Sequence, residues 1–163
     1  DIVKFIHQLR SLMSKPGDSS IGAAAIVGQY KAWLKEFDSV EVENKLQKEL
    51  EIYPTDPIYN LLLVVAILKG LQLNSNSVNA TFIAKLEKHL RYALSDSKTR
   101  KTALFIQAYI KHDFYERKFI NTSPTAQQVL LALKSDLTRP DLELIEFLRF
   151  SPVLLLKVKP LLS

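Results

Sequence analysis

Residues 57–73 have the sequence PIYNLLLVVAILKGLQL, and this stretch decides the fold class of the chain. Residues 61–68 contain no polar side chain, and the whole stretch is much longer than an average strand of about 5–6 residues. Asp56 and Pro57 are an N-cap residue and a first-turn proline, which together predict a helix start. A helix that is apolar on every side has to be covered by other helices. We therefore predict that residues 57–73 form a buried central helix, called the hub helix below.

Apolar residues recur at helical spacing on both sides of the hub helix, and strand-like alternation is almost absent. The chain has only four glycines and seven prolines, which is little material for the tight turns of an all-β fold. Outside the hub, the predicted apolar stripes cover residues 2–13, 23–37, 42–50, 82–93, 98–119, 126–137, 142–148 and 152–160. The sequence thus predicts an all-α fold of eight or nine short helices. Since no repeat of fixed period is present, an irregular helical bundle and a degenerate HEAT-like array of hairpins both remain open.

The length and composition predict one globular domain over residues 1–163. Its first residue is Asp1, and an apolar pattern begins at once, so we expect a segment excised from a longer protein or a processed chain. No signal peptide pattern is present, and the longest apolar run is too short for a membrane span of about 20 residues. The absence of cysteine excludes disulfides, thiolate nucleophiles and Cys-based zinc sites. Together these features favour an intracellular location, either cytoplasmic or nuclear.

The net positive charge of the chain comes from its middle. Residues 81–120 carry nine Lys and Arg against four Asp and Glu, a net charge of +5 that equals the net charge of the whole chain. At helical spacing, Lys101, Ala108, Lys111, Tyr115 and Lys118 are expected to form one continuous face. The candidate binding residues are Lys85, Lys88, Arg91, Lys98, Arg100, Lys101, Lys111, Tyr115, Arg117 and Lys118.

This basic face has three interpretations. It is a solvated helix surface, a docking site for an acidic protein, or a nucleic-acid site in which cations contact phosphates and Tyr115 stacks on a base. Composition alone does not separate them.

The residues that could support catalysis or bind a cofactor show no convergent pattern. His89 lies on the apolar stripe of residues 82–93, which predicts a position at the edge of the core rather than a catalytic role. His112 and Asp113 are adjacent, and adjacent helical side chains point in different directions, so no acid–base pair is expected. Metal-ligand spacing and glycine-rich phosphate loops are both absent from the sequence, and we predict no cofactor and no metal site. A hub helix covered on all sides is also expected to leave no cleft or buried polar cluster, so no small-molecule substrate is inferred.

The C-terminal residues are more apolar than a short terminal helix requires. They either complete the core or form a protein interface, and the candidate interface residues are Val153, Leu154, Leu156, Leu161 and Leu162.

The sequence therefore predicts a non-enzymatic helical domain for protein–protein interaction or assembly, with a protein partner or a second copy of the chain as its ligand. The alternative is a module that binds the RNA or DNA backbone through residues 81–120. An enzyme without a recognisable motif is the third hypothesis.

Overall fold

The computed structural model describes residue 4 and residues 20–71, 79–133 and 139–148, and within these ranges the chain is mostly helical and has no strand. The all-α prediction is confirmed. The helices are α1 (Ser20–Glu36), α2 (Ser39–Ile52), α3 (Pro57–Leu71), α4 (Ala80–Leu94), α5 (Arg100–Ile110), α6 (Ala126–Leu133) and α7 (Arg139–Leu148). A π-helical turn (Lys111–Tyr115) and a 3-10 turn (Glu116–Lys118) follow α5. The helices predicted at residues 2–13 and 152–160 lie outside the described residues, so the helix count and the single domain over 1–163 stay predictions.

Helix α3 is the predicted hub. Every residue from Leu61 to Leu68 is between 0 and 5% exposed. The helix packs against α2 and α4 and also contacts α7. Near its C-terminal end, the Nζ of Lys69 donates a hydrogen bond of 2.8 Å to the carbonyl of Phe147 and lies 4.0 Å from the centre of that ring. A cation beside the last carbonyls of α7 also interacts favourably with the dipole of that helix.

The start of α3 is capped as its sequence predicts. The Oδ1 of Asp56 accepts hydrogen bonds from the backbone N–H groups of Ile58 and Tyr59, both at 2.9 Å. The next turn of the helix contributes Asn60, which is fully buried although it is polar. Its Nδ2 donates to the carbonyls of Asp56 at 2.7 Å and Pro54 at 3.2 Å, and this fixes the turn between α2 and α3.

Replacing Asp56 with alanine removes the acceptor for two backbone N–H groups. We expect Asp56→Ala to lower the free energy of unfolding by about 1 kcal/mol, because a lost N-cap typically costs that much. Asp56→Asn keeps an acceptor oxygen and should retain most of the stability. Urea unfolding followed by circular dichroism compares the three proteins, and equal stability of Asp56→Ala and wild type would contradict the capping role.

The predicted apolar stripes of the described helices form the core. A large cluster joins buried side chains of α1 to α5 and α7, and a smaller one lies between α5 and α6. Tyr30 and Trp33 of α1 pack edge to face with ring centres 5.7 Å apart, and both side chains are buried in the large cluster. In α7, Leu144 and Phe147 join the predicted Leu148 in the core.

The helix predicted from Lys98 to Phe119 is not continuous. It is α-helical only from Arg100 to Ile110, and its last eight residues up to Lys118 are the π-helical and 3-10 turns. Sequence spacing alone does not detect this change, because the apolar residues of the turns still match an α-helical stripe.

Ser123–Pro124 repeats the cap-proline pattern of Asp56–Pro57 and so predicts a helix start, but this prediction is wrong. That peptide bond is cis, and α6 begins at Ala126. The cap is Thr125, whose Oγ1 accepts from the backbone N–H of Gln128 at 3.2 Å while the side-chain oxygen of Gln128 accepts from the backbone N–H of Thr125 at 2.8 Å. This is a capping box, and its reciprocal hydrogen bonds place the helix start two residues later than the proline suggests.

Candidate functional site

Helices α4 and α5 pack side by side as a hairpin. A short turn connects them, and the hydroxyl of Thr99 in that turn donates to the carbonyl of Ala93 at the end of α4. Basic residues lie on α4, in the turn, at the first residue of α5 and in the 3-10 turn after α5. Six of them are exposed and form no ion pair or side-chain hydrogen bond within the described part of the chain. These six, called the basic surface below, are Lys88, Arg91, Lys98, Arg100, Arg117 and Lys118.

The other predicted cations are already engaged or partly covered. Lys85 pairs with Glu43 of α2 at 3.6 Å. The Nζ of Lys111 donates to the carbonyl of Pro124 at 2.7 Å, and Lys101 is half-buried.

The face predicted from Lys101 through Ala108 to Lys118 is not one continuous exposed surface. Ala108 is fully buried in the contact with α6. The outer stripe of α5 instead runs from Arg100 through the half-exposed Leu104 and Gln107 to Lys111. The basic surface therefore depends on α4, the turn and the segment after α5 more than on α5 itself.

Tyr115 is not available as a free stacking platform. Its side chain is half-buried against the main core, and its hydroxyl donates a 2.7 Å hydrogen bond to the Oε1 of Glu87 on α4. Burial and this hydrogen bond raise the pKa of Tyr115 to about 12. The hydrogen bond also engages the carboxylate of Glu87, and it links the segment after α5 to α4.

Asp113 is engaged as well. Its Oδ1 lies 2.7 Å from the Nδ1 of His112, and both side chains are nearly buried. The prediction that these neighbours do not pair is wrong, since the two side chains are in contact within the π-helical turn.

Asp96 and Glu116 hold backbone groups. The Oδ1 of Asp96 accepts from the backbone N–H of Lys98 at 2.8 Å. The Oε2 of Glu116 accepts from the Thr122 hydroxyl and from the backbone N–H of Ala126 at 2.9 Å, which anchors the start of α6. All four acidic side chains of residues 81–120 thus make internal hydrogen bonds, whereas six of the nine cations make none in the described residues.

Comparison of the chain with protein-family models, with curated proteins and with solved structures gave no match. The functional interpretation therefore depends on the residues themselves.

An apolar pair follows the basic residues of the 3-10 turn. Phe119 is 97% exposed and Ile120 is 50% exposed. Phe119 has a φ of 63°, which is uncommon for a bulky residue, and its backbone N–H donates to the carbonyl of Glu116 at 3.0 Å. The backbone N–H of Ile120 donates to the carbonyl of Tyr115, also at 3.0 Å. The turn therefore holds two apolar side chains outward next to Arg117 and Lys118.

Sequence reasoning missed this apolar pair, because it placed Phe119 at the end of a regular helix. The candidate interface residues Val153, Leu154, Leu156, Leu161 and Leu162 lie outside the described residues. Within the described residues, no helix is long and apolar enough to cross a membrane, and no three His, Asp or Glu side chains are grouped so that they could hold a metal ion.

Proposed function

We propose that this chain is a non-enzymatic helical interaction domain that binds an acidic segment of a partner protein through the basic surface. One observation carries the proposal. The four carboxylates of residues 81–120 all make hydrogen bonds within the chain, whereas the six cations of the basic surface are exposed and form no ion pair or side-chain hydrogen bond with the described residues. No local carboxylate then has to be displaced when an acidic ligand arrives. The lack of cysteine fits a partner in a reducing intracellular compartment.

The exposed apolar pair favours a protein as the partner. Cations at an interface mainly increase the association rate and the specificity, whereas buried aromatic side chains supply most of the affinity. Phe119 lies beside two members of the basic surface and is almost fully exposed. A protein segment that combines acidic and apolar side chains fits both features.

Phe119 is expected to contribute affinity for such a segment without contributing stability. The probes are two fluorescein-labelled peptides of equal length and equal negative charge, one made of Glu and Gly and the other of Glu, Gly and Leu. Fluorescence anisotropy should show tighter binding of the leucine-containing peptide. Phe119→Ser should weaken that binding by at least about tenfold, because burial of a large apolar side chain contributes about 1.5–3 kcal/mol.

Ile52→Ser is the matched control, since Ile52 is 65% exposed but belongs to α2. It should leave the affinity unchanged. Equal affinity of the two peptides for wild-type protein, or equal loss in both variants, would contradict a role for Phe119 in binding.

Nucleic acid is the second candidate, and the same six cations favour it. Binding of a single strand would follow from phosphate contacts and would weaken steeply with salt. Base stacking would depend on Phe119, since Tyr115 is bound to Glu87.

A further inference from the structure

A cleft of about 360 Å³ lies between the end of α2, the hub helix and α4. Pro54 and the ring of Tyr92 give it accessible apolar surface, whereas Leu50 and Leu63 also line it but are only 8% and 0% exposed. Glu51, Lys88 and His89 give it polar groups. The expectation that the covered hub leaves no cleft is therefore wrong. Small-molecule sites commonly have volumes of about 300–1,000 Å³ and a mainly apolar lining with a few polar groups.

The hydrogen bonds of the hub determine which nitrogen of His89 carries its proton. The Nδ2 of Asn60 donates to two backbone carbonyls, so its Oδ1 is the atom that faces the Nδ1 of His89 at 2.8 Å. Because a carbonyl oxygen only accepts, the Nδ1 of His89 has to donate. In the neutral ring the Nε2 is then an acceptor, and it forms no hydrogen bond with the described residues.

The imidazole is kept neutral by its surroundings. Burial lowers the pKa of His89, and the positive charges of Lys85 and Lys88 lower it further. The ring therefore has a bare acceptor nitrogen at slightly alkaline pH.

The charges around the cleft select against an ionic ligand. Glu51 and Lys88 carry opposite charges and both line the cleft. An anion is repelled by Glu51 and a cation is repelled by Lys88. A neutral molecule avoids this repulsion, and its apolar part is stabilised by contact with Pro54 and the ring of Tyr92.

We propose that this cleft binds a small uncharged molecule with an apolar, ring-sized body and one N–H or O–H group, which donates its hydrogen to the Nε2 of His89. This cleft would bind a neutral molecule, whereas the basic surface would bind an acidic segment, although Lys88 belongs to both.

Phenol and anisole provide a matched pair of probes, because they share an aromatic ring and only phenol has a donor. The experiment is a titration of the full chain at slightly alkaline pH, with the ring resonances of His89 followed by NMR. Phenol should shift them saturably, with a dissociation constant in about the millimolar range. Anisole should bind at least about fivefold more weakly, as expected when one hydrogen bond of about 1 kcal/mol is missing.

His89→Asn is the matched variant, since its amide nitrogen can still donate to Asn60 while the Nε2 is removed. Its backbone amide resonances around the cleft should no longer respond to phenol. Three results would overturn the proposal: no saturable shift with phenol, equal affinity for anisole, or tighter binding of benzoate or benzylamine than of phenol. These results come from the wild-type protein and do not depend on whether the variant folds or on whether an acidic partner binds.

Discussion

Leu62→Ala in the hub helix is expected to lower the free energy of unfolding by about 2–5 kcal/mol, the usual cost of deleting a buried leucine side chain. Leu62 is 0% exposed and belongs to a helix that is covered on all sides. The neighbouring helices are held by their own contacts and cannot close fully around the missing atoms. The cavity that remains therefore adds to the lost transfer free energy.

Thermal and urea unfolding measure this effect. For a chain of this size, each kcal/mol corresponds to about 2–4 °C, so the unfolding temperature should fall by about 10 °C. Val40→Ala is the control, because Val40 is 59% exposed on α2 and should change stability by less than about 0.5 kcal/mol. Similar losses in the two variants would show that α3 is not the centre of the core.

Reversing three charges of the basic surface should have the largest effect on binding. In Lys88→Glu/Arg91→Glu/Arg100→Glu, we expect about 100-fold weaker binding of the leucine-containing acidic peptide at low salt, since each exposed pair contributes up to about 1 kcal/mol. The fold should persist, because none of the three side chains has an internal partner in the described residues. Fluorescence anisotropy gives the affinity, and circular dichroism checks the fold.

The control variant is Lys31→Glu/Lys35→Glu/Lys48→Glu, which makes the same change in net charge on exposed lysines of α1 and α2. It should weaken binding only slightly. A single-stranded oligo(U) of the same charge as the peptide is tested beside it. If oligo(U) binds more tightly than the peptide at physiological salt, the nucleic-acid candidate replaces the protein partner. If the two triple variants lose equal affinity, binding depends on net charge and not on the basic surface.

The parts of the fold that depend on local pattern could be predicted from the sequence. The hub helix follows from an apolar stretch too long for a strand, and its start follows from Asp56 and Pro57. The stripes of the other described helices follow from helical spacing in the same way.

The features that depend on tertiary contacts could not be predicted. The pairing of Asn60 with His89 joins residues 29 positions apart, and the contact of Tyr115 with Glu87 joins residues 28 apart. The burial of Ala108 against α6 sets which side of α5 faces outward, and the pairing of His112 with Asp113 occurs within the π-helical turn after Ile110. The excess charge of residues 81–120 could be read from the sequence. That the four acidic side chains are engaged in hydrogen bonds within the chain, and the six cations are not, is visible only in the structure.

The most direct test of the central claim is NMR mapping of the leucine-containing acidic peptide on the wild-type chain. We predict that the shifted backbone amides concentrate at the six residues of the basic surface and at Phe119 and Ile120. Shifts centred on Lys31, Lys35 and Lys48, or no saturable shift at low salt, would contradict the claim that this domain acts through the α4–α5 hairpin.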